Sequence, residues 1–117
     1  MVVERGEIWR ADLGEPRGSS PGFHRPVVIV QSDFFNQTRI NTLVVAIITT
    51  NLRLGNMPGN VILSQRASGL DKESVINISQ LFTVDRVDLL EFVNALSAKK
   101  MEQVDEGLRL ILSLPKI

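Results

Sequence analysis

Arg25 and Thr49 stand at the ends of two apolar runs, where buried chain would meet solvent and where chemistry is sought first. Arg25 precedes Pro26-Val27-Val28-Ile29-Val30-Gln31, and Thr49-Thr50 close the run Ala46-Ile47-Ile48. A guanidinium stays charged at any working pH and grips two phosphate oxygens at once, so it suits a developing negative charge at phosphorus. It suits proton abstraction badly. RNA carries its own nucleophile in the 2′-hydroxyl, so aligning that hydroxyl with the scissile phosphate permits cleavage by positioning and electrostatics alone. In this reading Arg25 holds the phosphate, and Thr49 donates to a non-bridging or leaving oxygen. Arginine and threonine at strand ends also occur as plain solvated residues, and composition by itself leaves that alternative standing.

His24, the only histidine, is a general base by type. It adjoins Arg25, however, and a residue before proline is held extended, so strand alternation sends the two side chains to opposite faces. His24 is therefore expected to be non-catalytic. No serine, histidine and aspartate arrangement is recognisable, and no Walker-type glycine loop occurs. With no cysteine and one histidine, neither a disulfide framework nor a thiolate or zinc site is expected, and a metal-free mechanism without cofactor is the default.

The elements that must position these residues are short strands. Glu7-Ile8-Trp9-Arg10-Ala11-Asp12-Leu13 alternates polar and apolar residues, with Trp9 expected as a core or interface anchor. A turn-forming loop from Gly14 to Gly22 leads into the second strand at His24. Asp33 to Asn41 reads as an irregular connection or short helical turn capped by Ser32 or Asp33. The third strand is Thr42 to Thr50, followed by a loop from Asn51 to Pro58 and a short fourth strand from Asn60 to Ser64. Ser74 to Val84 alternates as a fifth strand, with Val75 and Asn77 on one face against Ile76, Ile78, Gln80 and Phe82. Residues 85–96 admit either a helical turn near Val87 or a small strand at Phe92-Val93. Ser97 is the expected N-cap of a helix from Ala98 to about Leu112, with Met101, Val104, Leu108, Ile111 and Leu112 on its apolar face and Pro115 as its stop. Short strands, turn-rich connections and one closing helix describe a mainly β fold, a small partly open barrel with a C-terminal helix.

Length fits one domain, residues 1–117, and the 44% hydrophobic content is ordinary for a globular chain. No apolar run approaches the roughly 20 residues of a membrane span, and the N-terminus lacks a signal-peptide core, so a cytoplasmic location is expected. Net charge is zero, but it is unevenly distributed. From Pro16 to Leu70 Arg17, Arg25, Arg39, Arg53 and Arg66 face Asp33 alone, whereas Asp71 to Ile117 is net acidic. Arginine without lysine suits bidentate phosphate contacts, unless folding disperses the charges.

Arg5-Gly-Glu-Ile-Trp-x-Ala-Asp-Leu-Gly, Gly18-Ser19, Arg25-Pro26 through Asp33, Ala46-Ile47-Ile48-Thr49, Pro58-Gly59-Asn60-Val61, Ser74-Val75-Ile76-Asn77-Ile78-Ser79-Gln80 and Thr83-Val84-Asp85 together resemble the MazF/PemK toxin family. Each piece is weak alone; the ordered set covers nearly the whole chain. The resemblance implies an SH3-like barrel and a homodimeric toxin of a toxin–antitoxin pair that cleaves single-stranded RNA at short sequences without a metal. It implies a 2′,3′-cyclic phosphate and a 5′-hydroxyl as products, with Arg25 and Thr49 in the catalytic positions. Ser19, Ser79 and Gln80 are then the implied polar readers of RNA, with Thr50 and Arg53 beside them, although turn and strand-end hydrogen bonding is the plain alternative. Many members place a glutamate directly after the serine corresponding to Ser19, but Ser20 stands here, so no carboxylate base comes from that position.

The implied partners are single-stranded RNA, a second copy of the chain, and an acidic, partly disordered antitoxin segment able to occupy the same groove. The competing function is a non-enzymatic gyrase poison of the related CcdB type, which shares the barrel. Those relatives act through a tryptophan near the C-terminus, whereas Trp9 is the only tryptophan here. A plain interaction barrel is the third possibility.

Overall fold

The computed structural model describes residues 2–19 and 22–116. Among the described residues six strands occur in the order β1 (Glu7–Asp12), β2 (His24–Ile29), β3 (Thr42–Thr49), β4 (Val61–Leu63), β5 (Ser74–Asp85) and β6 (Leu89–Ala95). Helices α1 (Asp33–Asn36), α2 (Gln65–Ser68) and α3 (Ala98–Leu112) and 3-10 turns at Leu52–Asn56 and Arg86–Asp88 connect or follow them. The strands form one antiparallel sheet ordered β4-β5-β3-β2-β1-β6. The sheet curls, and its two unpaired edges meet at α2, which packs against both β4 and β6. Asn94 of β6 donates to the carbonyl of Ala67 in α2 at 3.4 Å. The result is the expected mainly β, partly open barrel with a C-terminal helix.

Both faces of the central strands are buried. Val27, Ile29, Val45 and Ile47 join Trp9, Ala11 and Leu89 in a first core, while Val28, Ala46 and Ile48 join Ile8, Ile76 and Val104 in a second. This is why β2 and β3 read as unbroken apolar runs. Trp9 sits in the first core, edge to face with Phe92 at 5.7 Å, and its indole N–H donates to Glu7. Helix α3 closes the second core with Val104 fully buried and Met101 and Leu108 packed beside it. Arg5 ties the layers together by donating to the carbonyl of Val30 and pairing with Asp105 of α3 at 2.8 Å.

Four details depart from the sequence reading. Helix α3 runs over Ala98–Leu112 as expected, the Ser97 hydroxyl accepting from the Lys100 amide, but Pro115 is not what stops it. It ends at Ser113, whose left-handed conformation (φ 57°) turns the chain two residues earlier. Ile111 and Leu112 are about half exposed, at 48% and 51%, because the second core ends at Leu108. Ser32 precedes α1 without a side-chain capping bond, and Asp33 instead accepts from the Arg5 and Asn36 side of the turn. Within β5, Ala46 pairs with Leu81 but its neighbour Ile47 pairs with Asn77, leaving Ile78, Ser79 and Gln80 as a bulge. Three extra residues reverse the alternation. Phe82 therefore packs on the first core while Ile76 and Ile78 pack in the second. The open segment resolves as the 3-10 turn at Arg86–Asp88 followed by β6.

Candidate active site

In the β2–β3 ladder Val27 lies opposite Ile47. The paired ladder stops there; carried on by two residues, its register would bring Arg25 opposite Thr49, and alternation gives both the face of the first core. Arg25 also pairs across β1 with Ala11, a residue of that core. It is exposed, and among the described residues no carboxylate forms an ion pair with it. His24 pairs with Asp12 and shares the parity of Val28, which belongs to the second core, so it points away from Arg25.

The Thr49 hydroxyl is oriented by its own chain. Its oxygen accepts from the Asn51 amide at 3.1 Å, which uses a lone pair and leaves the O–H proton able to donate outward. The Asn51 side chain accepts from the Arg53 amide at 3.3 Å and opens the 3-10 turn on which Arg53 stands exposed. Thr50, in the bend between them, is also exposed.

Topology sorts the arginines. The connections carrying Arg17 and Arg53 leave the sheet at the end where Arg25 and Thr49 lie. Arg39, between β2 and β3, is at the opposite end, where Arg86 donates to the carbonyls of Asn36 and Ile40. Arg66 belongs to α2, whose Ala67 packs on the second core. The arginine-rich window is thus partly dispersed by folding.

The bulge in β5, between the positions opposite Ile47 and Ala46, carries a chain of amides. Asn77 lies opposite Ile47 and is only 7% exposed. Its carbonyl oxygen accepts from Asn60 at 3.2 Å and from the Ser79 hydroxyl at 2.9 Å, and its amide donates to Gln80 at 3.1 Å. Gln80 donates to the Ser19 carbonyl at 3.4 Å, bringing the loop between β1 and β2 to the bulge. That loop is pinched at its base, where Phe23 (φ 59°) donates to the Gly14 carbonyl and accepts from Leu13. Gly22 packs so closely on Pro16 that a Cβ there would collide with its backbone. Ser20 lies outside the described residues.

Gln80 therefore meets the backbone of Ser19 beside Ser79, and Arg25 and Thr49 lie on one face two residues past the last paired position of β2 and β3; Thr50 and Arg53 follow Thr49 in the chain, and among the described residues neither side chain bonds to Arg25 or Thr49. Sequence reasoning missed Asn60 as part of this assembly and treated Asn77 as strand filler. The available signal was an amide in the middle of an apolar strand, because a buried amide needs partners.

The family model of PemK-like, MazF-like toxins of type II toxin–antitoxin systems matches residues 4–112. The chain belongs to this family. Curated relatives include Endoribonuclease MazF6 of Mycobacterium tuberculosis, 44% identical over 97% of this chain and 100% of its own length. Endoribonuclease EndoA of Bacillus subtilis is 34% identical, covering 97% of both chains. The MazF fold recurs in solved structures at lower identity. MazF from Deinococcus radiodurans superposes with a TM-score of 0.78 at 18% identity, over 97% of this chain and 98% of that one. A mycobacterial endoribonuclease solved with its cognate antitoxin gives 0.77 at 21% identity, over 99% and 98%. The SH3-like barrel expected of a MazF/PemK member is thus the fold observed.

Proposed function

We propose that this chain is the toxin of a toxin–antitoxin module and a metal-independent, sequence-specific endoribonuclease of single-stranded RNA. What supports the reading is strand parity: carried two residues past the last paired position, Val27 opposite Ile47, the β2–β3 register puts Arg25 and Thr49 on the same face at the same end of the sheet, a guanidinium with no carboxylate partner among the described residues and a hydroxyl whose oxygen accepts from Asn51. The 2′-hydroxyl gives its proton to solvent water as its oxygen bonds to phosphorus and the P–O5′ bond breaks, and the departing 5′-oxygen takes a proton from water, leaving a 2′,3′-cyclic phosphate and a 5′-hydroxyl. Arg25 grips the phosphate oxygens as charge builds on them, and Thr49 donates to a non-bridging or leaving oxygen. Guanidinium, hydroxyl and amide groups suit this charge stabilisation, whereas a hard divalent cation prefers carboxylate and carbonyl oxygens. Ser19, Thr50, Arg53, Ser79 and Gln80 line the approach and contact RNA.

The 44% identity to curated endoribonucleases along the whole chain supports the same activity here. The functional unit is a homodimer in the cytoplasm, and an acidic antitoxin segment inhibits it by occupying the arginine-bearing end in place of RNA. No described helix is long and apolar enough to cross a membrane. The test is a long mixed-sequence RNA incubated with the protein in EDTA, with the cleavage ends mapped. Cuts confined to one short sequence are expected; intact RNA, or cutting only with added divalent metal, overturns the proposal.

A further inference from the structure

The amide chain that ends at Ser79 and Gln80 begins on backbone groups, and that fixes the direction of every bond in it. The Asn60 side-chain oxygen accepts from the Ile78 amide at 2.9 Å, and its nitrogen donates to the Leu54 carbonyl at 2.9 Å. A backbone N–H only donates and a carbonyl only accepts, so this amide has one orientation. Its nitrogen then faces Asn77, which must present its oxygen in return. With that oxygen committed, Ser79 spends its proton on Asn77 and Gln80 turns its own oxygen toward the Asn77 nitrogen. The far end is locked as well, because the Ser19 carbonyl requires the nitrogen of Gln80. What remains for a ligand is the lone pairs of exposed Ser79, which has no proton left to donate, and on Gln80 one N–H, the only donor of the pair, beside the second lone pair of its oxygen.

We propose that Asn60 is a positioning residue whose backbone-locked amide sets Ser79 to accept from, and Gln80 to donate to, an unpaired RNA base. The inference rests on the proposed RNase activity and adds to it the polarity of base recognition. Single-stranded RNA is read on the exposed edges of splayed bases, where an acceptor beside a donor on the protein selects the complementary pair. Asn60 itself touches no substrate. It acts through Asn77, which is buried behind the bulge.

Reversing the first amide should reverse the last. Asn60→Asp keeps the oxygen that takes the Ile78 amide but replaces the donor, so Asn77 flips to offer its nitrogen to the new carboxylate. Ser79 is then freed to donate outward, and Gln80 turns to show its oxygen as the 3.4 Å contact to Ser19, the longest in the chain, gives way. Gln80→Glu produces an outward acceptor at the same place without touching the buried amides.

The experiment maps cleavage ends of wild type, Asn60→Asp and Gln80→Glu on one mixed-sequence RNA in EDTA, with Tm recorded for each. Both variants are expected to change the preferred base at the same position of the cleaved sequence. The kcat/KM advantage of the original base should fall about tenfold or more. A folded variant that cuts the wild-type sequence with unchanged ranking, only more slowly, overturns the proposal, since that is what a purely structural role gives. If Asn60→Asp does not fold, Asn77→Asp, which still accepts from Asn60 but withdraws the donor that faces Gln80, is mapped in its place, and an unchanged base ranking overturns the proposal. Wild type failing to cut any RNA would instead overturn the RNase reading beneath it, so the two failures are separable.

Discussion

Removing a guanidinium and removing a hydroxyl from the same phosphate should leave different signatures. Arg25→Ala takes away both the charge and the forked donor, and kcat/KM on a short RNA is expected to fall about 10³-fold or more. Arg25→Lys keeps the charge but not the fork and should recover only a small part of that loss. Thr49→Val preserves shape while removing the donor, and a loss of about 10²-fold in kcat is expected, restored largely by Thr49→Ser. All four variants sit at a strand end and should keep the wild-type Tm. His24→Ala, on the opposite face, should change kcat/KM by no more than a few-fold. A folded but inert His24→Ala would show that alternation along β2 does not separate the two side chains. The residues of this pair were legible in the sequence because both lie at the mouths of buried strands, where a charged or hydroxyl side chain is conspicuous.

At the scale of elements, legibility followed locality. The central strands and the start of α3 were visible because β-branched runs and a serine cap act through their own neighbours. The bulge at 78–80 was not, since its amide at Ile78 is held by Asn60 from a different strand connection. Nor was the device that places Asn60. The loop before β4 crosses α3 where Gly59 meets Gly107, and a Cβ on Gly107 would strike the Gly59 carbonyl. Gly59 itself has φ +89° and turns the chain into Asn60. In a bare sequence Gly107 looks only like a poor helix former, and nothing local says what lies against it. Gly107→Ala should improve helix propensity yet lower stability, because the crossing must open: overpacking of this kind costs about 1–3 kcal/mol. The check is a Tm several degrees below wild type, accompanied by a drop in cleavage as the bulge loosens. A raised Tm would mean that the crossing yields freely.

For the whole molecule, a net charge of zero concealed an arrangement by ends. Sequence position placed five arginines in one window, but topology keeps Arg17, Arg25 and Arg53 at the Thr49 end and sends Arg39 to the other. Connections at alternate ends of an antiparallel sheet make this unavoidable. If those three arginines neutralise three phosphates, log affinity for single-stranded RNA should fall with log salt at a slope of about −2. Arg53→Ala should make that slope shallower by about 0.7, while Arg39→Ala should leave it as it was. Filter binding across a salt series, with a strongly impaired Arg25→Lys background and short incubations to keep the RNA intact, measures both. Equal effects from Arg39 and Arg53 would place RNA elsewhere on the surface.

The most direct test of the account is a single atom on the substrate. An RNA oligonucleotide containing the cleaved sequence is made with 2′-deoxy sugar only at the nucleotide 5′ to the scissile bond, and its products are weighed by mass spectrometry beside the all-ribose version. The all-ribose strand should give a 2′,3′-cyclic phosphate and a 5′-hydroxyl fragment in EDTA, and the deoxy strand should bind but remain whole. Cleavage of the deoxy strand, or a 5′-phosphate on the released fragment, would show that water and not the 2′-hydroxyl attacks, and the roles given to Arg25 and Thr49 would be wrong.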